Sequence, residues 1–464
     1  MNVILNSIQP NLNVTMFKNW QSITLWKRVL IGLFIGIAFG LALHYGLPEA
    51  TFADEDGIET TWSGKERATW IGNTWIQPFG EAFVRLIKML IVPLIATTLV
   101  AGVTAMGDPK KLGSLGVKTI ALYLTTTLFA VSLGLTVGTI IKPGIGVEYG
   151  ASAENLETVK GKLDTAKDVT FTDRMLEIIP DSPVAAWADG AVLPTIFFSI
   201  LLGIGILFCG KSAEPIKIFF DSAVEVVMRI TMLIMELAPF GVCALMAWVM
   251  ATKGIEILNN LMWLALALYL TCVLHIVFVY GGIIVRGILR LPMKQFFRGI
   301  LDAQGVAFST ASSSATLPIS ISCAEKNLGV DKSVAGSVLP LGATINMDGT
   351  AIYLGLVALF AAQAAGLEVT FTQYLMVALT ATLVSIGAAG IPSAGLLLAA
   401  TVLDVVGISE SQSLLVIAFI FPFDRLLDMM RTVTNVSGDI AVACAVAKWE
   451  GELNEDVFRH EAEL

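Results

Sequence analysis

Ten apolar blocks dominate the chain. They lie at 25–47, 79–106, 117–141, 192–209, 216–250, 257–285, 300–323, 334–365, 371–406 and 414–447. Almost all reach the length of about 20 residues that an α-helix needs to cross a bilayer core. A buried helix of a soluble protein is shorter and apolar on one face only. Charged residues make up 14% of the 464, against about 25% in a soluble domain. Too few remain to clothe a soluble surface, so the expected fold class is an all-α polytopic membrane protein.

The first six blocks read as ordinary spans. The last four are broken by Ser, Gly and Pro clusters. Lys18, Lys27 and Arg28, then Lys110, Lys111 and Lys118, then Lys211 and Lys217, then Arg286, Arg290, Lys294 and Arg298 mark alternate ends of the spans. Basic flanks face the cytoplasm, which puts both termini inside. The opposite loops, within 48–75 and 148–190, are acidic. The net charge of −9 argues against a nucleic-acid partner. Five scattered cysteines and three histidines give no metal-ligand spacing. Residues 1–21 are too polar for a cleaved signal peptide.

Charge placement also constrains the later blocks. Block 300–323 starts beside the basic run 286–298 and is followed by Glu325, Lys326 and Lys332. If both ends are cytoplasmic, it enters and leaves on one side as a re-entrant hairpin, its tip at Thr310 to Pro318. Block 371–406 carries no Lys or Arg at either end. It reads as a second hairpin from the opposite side, its tip at Gly387 to Gly395. Eight transmembrane helices plus two hairpins in inverted repeats is a transporter arrangement. The plain alternative, two kinked full spans, puts Glu325, Lys326 and Lys332 outside, against the charge rule.

The chemistry concentrates in block 414–447. Asp424, Asp428, Arg431, Asn435 and Asp439 are spaced by four, three, four and four residues. At about 100° per residue they share an arc of roughly 80° on a helix, with Thr432 at its edge. A charge at mid-bilayer costs about 2.5–3.5 kcal/mol on insertion scales, so this stripe faces protein or water, not lipid. The bland reading is a structural Asp428–Arg431 pair. Apolar packing replaces such a pair at little cost, and the stripe holds more acceptors than one arginine satisfies.

A second cluster is Asn346-Met347-Asp348-Gly349-Thr350, preceded by Gly342. Carbonyl, amide, hydroxyl and carboxylate oxygens together suit a hard cation. A kinked helix with a capped Asn is the structural alternative. The third cluster is the pair of tips, whose serines, glycines and half-helix N-termini offer donors to a carboxylate. For Ser312-Ser313-Ser314 alone, close packing by small residues is an equal reading.

Together these clusters make the chain similar to the dicarboxylate/amino acid:cation symporter family. The matching pieces are the serine tip before Thr316-Leu317-Pro318, Asn346 to Thr350, Ser385-Ile386-Gly387 through Gly395, and Asp428-x-x-Arg431-Thr432-x-x-Asn435. The likeness spans roughly residues 25 to 450. It implies a homotrimer working by an elevator motion in a bacterial inner membrane, with scaffold helices in 25–116 and 142–252. Residues 117–141 and 253–448 then move, flanked by cytoplasmic ends at 1–24 and 449–464. It implies sodium as co-transported ion and an acidic amino acid, aspartate or glutamate, as substrate.

By this resemblance Arg431 holds the substrate's side-chain carboxylate and Asp428 its ammonium. Ser312, Ser313, Thr350, Ile391, Gly395, Thr432 and Asn435 complete the substrate site. The implied sodium ligands form three sets. Gly342, Asn346, Asn435 and Asp439 make one. Thr344, Met347, Ser385, Ile386 and Ala388 make a second. Tyr123, Thr126, Thr127, Asn346 and Asp348 make a third. Three positions depart from the family. Ala311 and Met429 stand where relatives carry an arginine, Arg425 lies one turn away, and Leu354 replaces a glutamate of proton-coupled relatives. A dicarboxylate such as succinate, malate or fumarate, carried with sodium or protons, is the alternative cargo.

Overall fold

The computed structural model describes residues 23–53, 59–104, 115–147, 176, 178–255, 257–388, 390, 393–408 and 410–459. The expectations for 1–22, 54–58, 105–114, 148–175 and 460–464, and the site call at Ile391, lie outside the described residues. The chain is mostly helical. Among the described residues, six segments are long and apolar enough to cross a membrane: Lys27–Gly46, Gly64–Thr104, Val117–Ile141, Val192–Met235, Leu258–Ile288 and Lys332–Ala364.

Two compact units emerge, one of residues 1–83 with 235–254, the other of 84–234 with 255–464. In the first unit, α1 (Leu25–Gly46) packs along α9 (Ala238–Lys253). Gly32, Gly36 and Gly40 line the contact. A β-carbon at Gly36 would sit 2.5 Å from the Cys243 carbonyl oxygen, and one at Gly40 would sit 2.5 Å from that of Ala247. Glycine at every fourth position lets two backbones meet where apolar burial against lipid supplies no driving force. Arg28 and Glu236 pair across this contact.

Three expectations need correction. The chain is not wholly α-helical: β1 (Ala50–Ala53) and β2 (Glu59–Trp62) form an antiparallel pair, Ala50 opposite Trp62. Thr51, Phe52, Thr60, Thr61 and Trp62 are strand-forming residues that outweigh the flanking acids. Helix α2 (Gly64–Ile71) then starts within the stretch read as loop, closed by a reciprocal Ser63–Glu66 capping box. Blocks 79–106 and 216–250 are not single helices either. The first divides into α3 (Gln77–Lys88) and α4 (Ile91–Thr104), the second into α8 (Glu214–Met235) and α9. Pro93 and Pro239 fall in the first turn of the second helix of each pair, where a missing N–H is tolerated.

The second unit also holds α5 (Val117–Ile141), α6 (Pro183–Ala188), α7 (Val192–Cys209) and α10 (Ile257–Leu274). The last of these continues as a π-helical stretch, His275–Ile288. Helices α11 (Met293–Thr310) and α12 (Ser313–Ser322) form a hairpin. Ala311 turns at φ 51°, and the Ser312 hydroxyl accepts the Ala315 N–H at 3.2 Å to cap α12. The chain doubles back until Asn327 Nδ2 donates to the Gly299 carbonyl at 2.8 Å.

Helix α13 (Lys332–Ile345) stops at Asn346-Met347, and α14 (Asp348–Ala364) resumes behind them, buried on every side as an apolar-all-round helix should be. A second hairpin follows from α15 (Phe371–Ile386) and α16 (Ala394–Val405). The tips meet: Ser312 Oγ donates to the Gly390 carbonyl at 2.6 Å, and Ser314 N–H to the same oxygen at 3.2 Å. Helix α17 (Glu410–Glu450) runs unbroken past both tips and the α13–α14 break, and α18 (Glu455–Arg459) ends the described chain.

Candidate functional site

The stripe on α17 is buried along its length. Asp424 and Arg431 have no exposed surface, and Asp428, Asn435 and Asp439 retain 6% or less. Arg431 Nη2 donates to Asp428 Oδ1 at 2.7 Å and to Asp424 Oδ1 at 3.0 Å. Its guanidinium lies 4.1 Å from the centre of the Tyr353 ring, a cation–π stack from α14. Nε and Nη1 find no acceptor among the described residues. Both acids therefore crowd onto one nitrogen, leaving one side of the fork free. Buried polar groups are nearly always paired, so free N–H groups on a buried guanidinium mark a place for an anion.

That free side faces the second hairpin. A β-carbon at Gly395 would lie 3.0 Å from Arg431 Nη1 and 2.7 Å from Thr350 Cγ2. Asp428 Oδ2 accepts the Ser393 N–H at 2.8 Å, and Thr432 Oγ1 donates to the Asp428 carbonyl at 2.9 Å. Ser313 and Thr350 are buried, as is Ser312 at the first tip. Arg431, Asp428, Thr350, Gly395 and the tip residue Ser393 thus converge on one place.

The break after Ile345 supplies the oxygens of a second locus. Asn346 Nδ2 donates to Asp439 Oδ1 at 2.9 Å, and Asn346 Oδ1 is buried without a donor among the described residues. Gly342 has to be glycine here, since a β-carbon would sit 2.5 Å from Asp439 Oδ1. Asn435 joins the two loci: its Oδ1 accepts the Gly349 N–H at 2.8 Å and its Nδ2 donates to Met347 Sδ at 3.1 Å.

Asp348 is the centre of a third locus. Its Oδ1 accepts Thr127 Oγ1 at 2.5 Å, and its Oδ2 accepts Tyr280 Oη at 2.6 Å and lies 3.1 Å from His275 Nε2. Thr126 donates to the Tyr123 carbonyl, Thr127 Oγ1 lies 2.8 Å from the same oxygen as the alternative to its Asp348 bond, and the Tyr123 hydroxyl donates to the Val338 carbonyl. The remaining set stays apart. Thr344 donates to Leu341, Ser385 to Thr382, and the Ala388 N–H to the Ser385 carbonyl at 3.0 Å, but no hydrogen bond among the described residues joins Thr344 or Met347 to Ser385, Ile386 or Ala388.

Sequence reasoning missed His275, Tyr280, Tyr353 and the pairing of Asp424. His275 and Tyr280 are five apart, about 140° around an α-helix, so they do not read as neighbours. The π-helical stretch adds a residue per turn and aligns positions i and i+5.

Buried charges of both signs, loose donors and acceptors beside broken helices, and segments long enough to cross a bilayer define a membrane transporter for a small charged solute and a cation. The chain belongs to the sodium:dicarboxylate symporter family, whose model matches residues 25–449. The members are symporters rather than enzymes. A proton/sodium-glutamate symport protein of Geobacillus stearothermophilus is 34% identical over 439 residues, 94% of this chain and 97% of that one. C4-dicarboxylate transport protein 3 of Bradyrhizobium diazoefficiens is 36% identical over 384 residues, 83% of this chain and 85% of its own. A C4-dicarboxylate transport protein of Rhodopseudomonas palustris is 33% identical over 445 residues, 96% of this chain and 92% of its own.

Proposed function

We propose that the chain is a sodium-driven symporter of an acidic amino acid, aspartate or glutamate. The observation that carries this reading is the Asp428–Arg431 pair, one helical turn apart, with Nε and Nη1 of the arginine unused. A guanidinium fork takes the distal carboxylate, and Asp428 takes the ammonium. A dicarboxylate lacking the amino group meets a repelling carboxylate at Asp428. A neutral amino acid leaves the Arg431 donors buried and unpaired, at about 1–3 kcal/mol.

Asp428 Oδ2 is already held by Ser393 N–H of the second hairpin. An arriving ammonium donates to the same carboxylate, so the substrate and the second hairpin meet at one group. That makes the second hairpin the gate. Asn346, Asp439 and Gly342 form one sodium locus, and Asp348 with Thr127 and Tyr123 another, both linked to the substrate through Asn435 and Gly349. This chain of contacts is the route by which sodium occupancy sets substrate affinity. In this reading 25–116 and 142–252 form the scaffold of a homotrimer, and 117–141 with 253–448 slide against it as an elevator.

The second reading, a C4-dicarboxylate as cargo, is favoured by the names of two of the relatives. Proteoliposomes carrying an inward sodium gradient should accumulate labelled aspartate, and excess succinate should leave that uptake largely intact. Uptake indifferent to sodium, or succinate competing as well as aspartate, overturns the proposal.

A further inference from the structure

Arg425 is a half-buried cation that the site so far leaves unused. It stands on α17 one residue after Asp424, and its Nη2 donates to the Thr310 carbonyl at 2.9 Å. Thr310 is the last residue of α11. A cation there balances the negative end of that helix, so the tip of the first hairpin does not repel an anion. Nε and Nη1 of Arg425 are shielded from solvent and have no acceptor among the described residues. No carboxylate of the described residues lies within ion-pair distance of it. Asp424 and Asp428, its neighbours in sequence, are both drawn to Arg431.

The guanidinium carries five N–H groups. One is accounted for by Thr310, and three sit on the two unpartnered nitrogens. A purely structural cap needs one donor and no positive charge, which a neutral amide supplies without taking a guanidinium partly out of water. On α17, Arg425 lies about 20° from Thr432, seven residues on. It thus borders the stripe on the side of the first hairpin, where Ser312 and Ser313 begin α12.

We infer that Arg425 is a second carboxylate anchor, taking the substrate carboxylate that Arg431 does not hold. The site then carries two guanidinium forks around Asp428, matching a solute with two carboxylates and one ammonium. On the proposed pose the Arg425 partner is the α-carboxylate, shared with the donors of the first tip. The inference rests on the proposed substrate site but not on the amino group, because aspartate and succinate both bring two carboxylates.

The test compares each di-acid with its mono-amide in full-length protein, in wild type, Arg425→Gln and Arg425→Lys. The ligands are aspartate with its α-amide, and succinate with succinamate. Arg425→Gln should weaken aspartate roughly 10- to 100-fold and shift the α-amide by under about threefold, as loss of a charge-assisted hydrogen bond does. Arg425→Lys, which keeps the charge without the fork, should recover part of the loss. Glutamine keeps a donor for the Thr310 carbonyl, so folding is retained. Equal losses for di-acid and mono-amide, or an unchanged aspartate affinity in Arg425→Gln, overturn the anchor. The two readings fail separately: wild-type preference between aspartate and succinate judges the amino-acid proposal, and the di-acid to mono-amide ratio judges Arg425.

Discussion

Two arginines, Arg28 in one compact unit and Arg431 in the other, meet carboxylates in opposite ways. Arg28 faces Glu236 fork to fork: Nη1 donates to Oε2 at 2.6 Å and Nη2 to Oε1 at 3.2 Å. One acid occupies both terminal nitrogens. Arg431 has two acids on Nη2 alone, with Nη1 and Nε left open. Surroundings differ to match. Glu236 has a half-exposed side chain, whereas those of Asp424 and Asp428 are buried. A structural pair uses up its terminal nitrogens beside water. The pair proposed to bind substrate is excluded from water and holds a terminal nitrogen, Nη1, in reserve. The number of acids nearby therefore says less than which nitrogens they occupy.

The largest effect should follow removal of the reserved donors. Arg431→Ala takes away a buried charged partner and strands Asp424 and Asp428, at about 2–5 kcal/mol for truncating one side of such a pair. Binding of acidic substrate should become undetectable by titration, while size-exclusion behaviour in detergent stays that of wild type. Retained affinity would erase the contrast with Arg28.

Asp428→Asn comes next. Its one amide oxygen keeps an acceptor for Arg431 Nη2, while its NH2 stands where Oδ2 accepted the Ser393 N–H, and the negative charge is gone. Aspartate affinity should fall by about 1.5–3 kcal/mol, the worth of a hydrogen bond to a charged group. Inhibition by succinate should strengthen, because the repelling carboxylate is gone. Competition curves measure both at once. Parallel losses for the two ligands would mean that Asp428 does not meet the ammonium.

Arg28→Met should do far less. Glu236 is exposed enough to be solvated when its partner leaves, so stability should change by at most about 1 kcal/mol. Aspartate affinity should stay at the wild-type value. Thermal unfolding beside uptake kinetics reads this, and a changed substrate affinity would show that the Arg28–Glu236 pair is more than structural.

How much of this was legible beforehand depends on the range of the contact. The stripe from Asp424 to Asp439 follows from spacing within one helix, and the interruption at Asn346-Met347 is announced by the glycines on either side. The fold-back at Thr310 to Ser312 is marked by charges at both ends of its block. Contacts between elements were not legible. Nothing in a row of apolar residues says that His275 and Tyr280 reach Asp348, because that takes a π-helical stretch and the approach of α14. Tyr353 looks like one more buried aromatic until α14 lies against Arg431. The strand pair at Ala50–Ala53 and Glu59–Trp62 was hidden by its acidic loop, whose charges read more loudly than its threonines.

A third kind of pair sets the lower limit of the scale. Lys448 at the end of α17 lies 2.9 Å from Glu455 of α18, both side chains partly exposed, and also donates to the Leu289 carbonyl. The hydrogen bond from Lys448, with a smaller contribution from Arg459, holds the Glu455 carboxyl below its usual range. A lowered pKa means that the stabilisation is complete above the unfolded carboxyl value of about 4.3. It is lost as the pH falls through the folded value. Screening by water limits the pair to about 0.5 kcal/mol. Glu455→Gln should therefore shift thermal unfolding slightly at pH 7 and progressively less as the pH falls through the folded carboxyl value, with transport unchanged. A larger loss at pH 7 would mean that docking of the tail, through Asp331 N–H on the Glu452 carbonyl at 3.0 Å and Asn454 N–H on the Gly329 carbonyl at 2.8 Å, depends on this ion pair. The tail would then no longer be an ordinary surface contact, and the ranking of the three pairs by water access would fail at its weakest member.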